Sequence, residues 1–191
     1  MERFSRYGAP RLEDLPEDIR AAIERVHEKA GFIPNIFLAL AHRPDEFRAF
    51  FAYHDAIVER RGNLTPAEKE MIVVATSAAN DCTYCVVAHG AILRVRAKDP
   101  LIADRVAVNY RSADLGPRQR AILDFAVKLA RRGAELEEAD YQSLRDQGLD
   151  DEDIWDVGAI TAFFALSNRL AHVIELQPNR EFYSLGREPS A

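Results

Sequence analysis

The 191-residue chain contains two cysteines, Cys82 and Cys85, and His89 follows four residues after the second. On a helix turning about 100° per residue, the three side chains share one face within roughly 60° of arc. The thiols stand one turn apart, near enough for a disulfide after small adjustment. The first turn of a helix carries unpaired N–H groups and the positive end of the dipole, and both stabilise a thiolate. His89 is spaced to accept a proton from Cys85 or to stabilise its anion. A thiolate, a base and a second thiol are what two-cysteine peroxide chemistry requires. One sulfur is oxidised to sulfenic acid, and the other condenses with it to a disulfide before over-oxidation.

Glu70 lies on the segment before the cysteines. A helical hairpin would bring it back to His89 or Cys85, where a buried carboxylate orients the imidazole and holds the proton taken from the thiol. Glu68 is a decoy, because its place three residues after Thr65 explains it as a capping partner. The same spacing could instead supply three metal ligands, with His27, His54 or His172 as a fourth. Structural zinc usually draws on two distant ligand pairs, and no second cysteine pair exists, so no metal is expected. No cofactor is expected either, since the chain has no Gly-rich phosphate loop, GxSxG elbow or metalloprotease motif. Inert packing is the remaining alternative, as free cysteine is commonly buried, but the company of Glu70 and His89 weighs against it. Of the other histidines, His27 and His42 read as packed or surface residues, whereas His54 and His172 lie on apolar helices and are candidate neighbours of the site. Trp155, Phe163 and Phe164 read as a core or subunit-interface stripe. Arg94, Arg96 and Lys98 read as a solvated basic helix end.

The segments that must position these residues read as helices almost throughout. Ile19, Ala22, Ile23 and Val26 recur at helical spacing before a stop at Gly31. A short helix over Ile36–Ala41 follows the turn at Pro34-Asn35, and another runs from Pro44 to near Gly62-Asn63. Thr65-Pro66-Ala67-Glu68 is a strong start, with a cap, a proline at the first helical position and a capping-box partner. That helix extends to about Ala79, and Asp81 is the expected cap of the next, from Cys82 to about Lys98. A short helix to about Val108, one from Leu115-Gly116-Pro117 to about Arg132, and one over Glu137–Gln147 follow. A long apolar helix then runs from Asp150 or Asp151 to about Glu175. No segment alternates as a strand would. The expected fold is all-α, one domain over 1–191. Its cysteine-bearing half spans about 16–108, a second helical half about 112–176, and a C-terminal tail, 177–191, lies on the surface or on a neighbour. A faint repeat sets Leu64-Thr65-Pro66 against Leu115-Gly116-Pro117, 51 residues apart. At that offset Met71, Ile72 and Ala75 fall on Ile122, Leu123 and Ala126, while Glu70, Cys82 and Cys85 fall on Ala121, Gly133 and Leu136. Two amphipathic helices with similar starts would look the same.

Hydrophobic residues make up 48% of the chain and charged residues 29%, a globular mixture rather than a disordered one. The net charge of −6 argues against a nucleic acid or an anionic membrane as partner. Two cysteines cannot staple a disulfide-rich secreted scaffold. The N-terminus shows no apolar signal region, and the most apolar run, 157–166, is ten residues. A cytoplasmic location is therefore expected, where a CxxC serves redox or metal chemistry.

The pattern Glu70-x11-Cys82-x-x-Cys85-x3-His89 resembles the core motif of the AhpD-like alkylhydroperoxidases of the carboxymuconolactone decarboxylase superfamily. Asn80-Asp81-Cys82-Thr83-Tyr84-Cys85, Gly31-Phe32-Ile33-Pro34-Asn35 and Phe163–Arg169 are similar to its peroxidase-related branch, so the resemblance spans roughly 30–183. It implies an AhpD-like helical bundle and a homo-oligomer, dimer or hexamer. It also implies a small hydroperoxide as substrate and an external dithiol or disulfide reductase as partner. By the same resemblance Cys85 is the peroxidatic sulfur, Cys82 the resolving one, and His89 with Glu70 the proton relay. Muconolactone decarboxylation is disfavoured, because relatives with that activity are not expected to keep a CxxC. The best-known members carry a histidine between the cysteines. Here Tyr84 stands there, and a phenol shuttles protons less readily near neutral pH.

Overall fold

A computed structural model describes residues 4–187 as ten α-helices with short 3-10 turns and, among those residues, no strand. The order is α1 Glu17–Ala30, α2 Asn35–Leu40, α3 Pro44–Val58, α4 Pro66–Ala79 and α5 Thr83–Ala97. Then follow α6 Ile102–Asn109, α7 Pro117–Arg132, α8 Glu138–Arg145, α9 Asp151–Val173 and α10 Glu181–Ser184. Among the described residues, no helix is long and apolar enough to cross a membrane.

The fold is built around α4, which packs against α5, α6, α7 and α9. Its residues Glu68 to Ser77 are all buried, because Met71, Ile72, Val73, Val74 and Ala75 present apolar surface on every side. The three charged residues at its start each have a separate partner. Glu68 completes the capping box with Thr65 and accepts from Arg118 Nε at 2.9 Å. Lys69 donates to the carbonyls of Ile57, Val58 and Arg60, at 3.4, 3.0 and 2.6 Å. That collection of carbonyls ends α3 at Val58, four residues before the expected stop at Gly62. Glu70 turns to α5.

The long α9 is capped by Asp150, as expected, and ends at Val173 instead of Glu175. Its Val157, Ile160 and Phe164 enter the main core with Ile122, Leu123 and Phe125 of α7. The helices α4 and α7 start alike: Pro66 and Pro117 open them, and Gln119 Oε1 accepts from the Gly116 N–H at 3.1 Å.

The expectation for Arg94 is corrected. Arg94 is not part of a solvated turn; only 4% of it is exposed. It lies under the C-terminal segment, donating from Nε to the Leu185 carbonyl at 2.9 Å and from Nη2 to the Phe182 carbonyl at 2.7 Å. The described part of the C-terminal tail carries α10, which buries Phe182 against the cysteine-bearing helix; 188–191 lie outside the described residues. Replacing Arg94 with alanine strands two carbonyls and a packed stem, a loss of about 1–3 kcal/mol. The expected result is a melting midpoint lower by about 2–10 °C, measured by circular dichroism, together with faster alkylation of the cysteines that α10 covers.

Candidate active site

Asn80 and Asp81 join α4 to α5, and the sharpness of this link sets the site. Asp81 does not cap α5 as expected. It adopts the left-handed region with a φ of 55°, which reverses the chain and moves the cap one residue on, to Cys82. The Cys82 N–H bonds back to the Ser77 carbonyl at 2.9 Å. Cys82 therefore sits at the mouth of α5 and Cys85 one turn inside it.

The hairpin brings together the residues expected from the sequence. Glu70 Oε2 accepts from His89 Nδ1 at 2.9 Å, with both groups largely buried. A carboxylate at that nitrogen fixes the tautomer and leaves Nε2 with the free lone pair. The Phe164 ring packs edge-on against the imidazole, 4.7 Å between centroids, and restrains it from α9. Cys82 and Cys85 are buried free thiols. The Cys85 sulfur lies 3.8 Å from Ser167 Oγ, and no hydrogen bond joins His89 to either sulfur among the described residues. No group of three or more acidic, histidine or cysteine side chains among the described residues is placed to hold a metal ion.

The two thiols differ sharply in acidity. The adjacent Cys85 thiol and backbone N–H, His172 and Asn168 together outweigh burial and hold Cys82 down at about 6. The Cys82 sulfur, and after it burial, push Cys85 well above the usual thiol range. Negative charge thus rests on the outer sulfur, with the inner thiol in support.

The walls come from distant segments. Ala39, Ala171, Ile174, Leu176 and Phe182 pack around the pair, with Phe4, Phe32 and Ile36 against them. Tyr84 faces α2, where its hydroxyl accepts from the Ile36 N–H at 3.2 Å, and burial raises its phenol far above ordinary. It is a wall, set apart from the Glu70–His89 pair. A cleft of about 320 Å³ reaches Cys82 between Asp81, Thr83, Ala171 and His172; Cys85 is not among its lining residues.

Sequence reasoning missed Asn168. It is fully buried, donates to Ser77 Oγ at 3.0 Å, accepts from Asn80 Nδ2 at 2.9 Å, and its amide makes both thiols more acidic by hydrogen bonding. Its signal was Ser167-Asn168 set inside an apolar helix, where buried polar residues need partners. Of the two histidines singled out as neighbours, His172 lines the cleft, its Nε2 3.0 Å from the Asn80 carbonyl. His54 is screened from the site by Phe164 and pairs with Asp55 at 2.9 Å.

With Glu70, His89 and the dithiol gathered inside an all-helical bundle, the chain belongs to the AhpD-like group of the carboxymuconolactone decarboxylase superfamily. The Carboxymuconolactone decarboxylase family profile matches residues 44–126. A structure from Ralstonia eutropha JMP134, described as an alkylhydroperoxidase AhpD core and uncharacterized peroxidase-related protein, is 62% identical, with a TM-score of 0.98 and 100% of both chains covered. An uncharacterized peroxidase-related protein from Silicibacter sp. TM1040 is 38% identical, with a TM-score of 0.92 and 97% of both chains covered. The debrominase Bmp8 is 20% identical at a TM-score of 0.76, covering 100% of this chain and 99% of its own, and shares the fold alone. No curated protein matches.

The acidity difference gives a direct expectation. Cys82 is deprotonated above about pH 6, so alkylation of the reduced protein should start at Cys82 at neutral pH and slow as the pH falls through that value. Peptide mapping after a brief iodoacetamide pulse measures it. Labelling that is equal at both cysteines, or that rises only above pH 8, contradicts the assignment.

Proposed function

We propose that this protein is a thiol-dependent peroxidase that reduces small hydroperoxides through a Cys82/Cys85 dithiol–disulfide cycle, with His89 and Glu70 as proton relay. The observation that carries this reading is the buried Glu70–His89 pair, 2.9 Å apart, on the helix hairpin that holds the two thiols. One sulfur attacks the peroxide, the O–O bond breaks, and a sulfenic acid and an alcohol result. The second thiol attacks the sulfenic sulfur, releasing water and forming the disulfide. His89, held by Glu70, takes the proton of the attacking thiol and returns it to the departing oxygen. An external dithiol or disulfide reductase restores both thiols, a demand that suits the cytoplasm.

Tyr84, Ala171 and Leu176 give the small cleft that reaches Cys82 an apolar side, which suits a small organic hydroperoxide. A homo-oligomer, dimer or hexamer, belongs to the same reading. Trp155, Leu166 and Val173 expose apolar surface along α9, and Trp155 lines an apolar groove of about 530 Å³ with Tyr53 and Leu129.

A second reading, thiol–disulfide exchange or redox sensing, is favoured by the acidic Cys82 beside a partner thiol held neutral. Turnover with cumene hydroperoxide compared with reduction of a protein disulfide separates the two.

The peroxidase reading predicts that one equivalent of cumene hydroperoxide removes both thiols and yields one equivalent of alcohol, read by thiol titration and chromatography. Retention of both thiols with the peroxide intact excludes it. Glu70→Gln keeps an acceptor for His89 but removes the charge, and should slow peroxide turnover by about 10- to 100-fold while the fold persists. Unchanged turnover in that variant would remove the relay.

A further inference from the structure

At the open end of the α4–α5 hairpin, opposite the turn at Asp81, a pocket is lined by cationic side chains that lack carboxylate partners. We propose that it binds a small oxyanion, a phosphate or short carboxylate, between Arg61 and Arg96, with Lys69 supplying charge from the wall. The inference stands apart from the peroxidase reading, because this pocket and the cleft at Cys82 have no lining residue in common.

The pocket encloses about 270 Å³ between the end of α3, the start of α4 and the last turn of α5. That is just under the span of about 300–1,000 Å³ usual for ligand clefts, so it suits an anion of a few atoms better than a nucleotide. Val58, Leu64 and Pro66 give it an apolar side. Its charged lining is Arg60, Arg61, Lys69 and Arg96 against Glu59 and Glu70, an excess of cations in a chain whose net charge is −6.

The four cations are not equivalent. Arg60 is neutralised by Asp156 at 2.5 Å and Glu152 at 3.1 Å. Arg61 and Arg96 are exposed, and among the described residues neither guanidinium has a hydrogen bond or an ion pair. Lys69 decides the matter. It is buried, and its Nζ meets three carbonyls, which calls on all three N–H bonds of an ammonium. The carbonyls satisfy its donors but not its charge, since no carboxylate among the described residues lies within ion-pair distance. Burial, and after it Arg60 and Arg96, hold Lys69 below the ordinary lysine range against the pull of Asp156 and Glu59. Buried charges are ordinarily paired. An anion in the pocket is the counter-charge that Lys69 lacks, and two guanidinium forks are the donors that match its oxygens.

The segment carrying Arg61 is fixed on both sides. Arg60 is tied to Asp156 before it. After it, Asn63 Nδ2 donates to the Gly148 carbonyl and to Asp153 Oδ2, both at 3.0 Å, and the Asn63 carbonyl accepts from Arg118 Nη2 at 3.0 Å. A loop already ordered loses little freedom on binding. Of the two opposing charges, Glu70 accepts from His89 and Glu59 is exposed; their repulsion favours a position between Arg61 and Arg96.

The test titrates the full chain with sodium phosphate and with sodium acetate, against sodium chloride at equal ionic strength, by calorimetry and by thermal melting. One oxyanion per chain should bind and raise the melting midpoint by about 2 °C or more where chloride does not. A response to phosphate alone narrows the ligand to phosphoryl groups, and one to acetate alone narrows it to carboxylates. The Arg61→Ala/Arg96→Ala protein loses only exposed side chains, so it should melt like the parent in chloride. It should also lose the oxyanion-dependent rise and bind at least about tenfold more weakly. Arg131→Ala removes another exposed arginine, which lines a different cleft, and should bind like the parent. Bound oxyanion should slow phenylglyoxal modification at Arg61 and Arg96 and leave Arg131 unprotected in peptide maps. An equal rise with chloride, a rise that survives in the double variant, or protection spread over all three arginines overturns the site.

Discussion

A carboxylate on a helix that is buried on all sides needs a hydrogen-bond donor in place of the water it has lost. Glu70 meets this constraint through His89, 2.9 Å away on the next helix. Leaving such a buried carboxylate without its donor typically costs about 1–3 kcal/mol. The pair therefore fixes the register of α4 against α5 as firmly as any apolar contact between them. Once that register is set, the sharp turn at Asp81 has one place to fall, and the thiols follow at the mouth and first turn of α5.

Around this hairpin the molecule treats its two sulfurs differently. The inner one is enclosed by α9, through Ser167 and Asn168, and its proton is held. The outer one keeps a helix end, a partner thiol and an exposed histidine beside it. Chemical inequality between two identical side chains three residues apart thus arises from helix geometry plus one polar edge on an otherwise apolar helix.

The local features were legible in the sequence because their causes are local. The Thr65–Glu68 capping box, the proline starts and the periodicity of α4 and α9 each depend on residues within a turn or two of one another. The Glu70–His89 contact was legible for the same reason, since a short hairpin leaves few ways to arrange 19 residues. Asp81 misled because aspartate favours both caps and left-handed turns, and the choice between them depends on the reversal the packing demands. Arg94 and Asn168 were misread or missed because their partners lie about 90 residues away. A buried arginine on a helix end looks like a solvated one until the segment that covers it is known.

The walls over the thiols have a further consequence for the cost of enclosing them. Residues 4–6, 32–36 and 171–185 close the chamber, and they lie far from the cysteines along the chain. Contacts of such long sequence separation carry a larger loop-closure entropy cost than those within the local α4–α5 hairpin. The dithiol itself belongs to the local hairpin, and its enclosure belongs to the distant segments. Docking of the C-terminal segment over Arg94 is what covers the thiol pair in the folded protein.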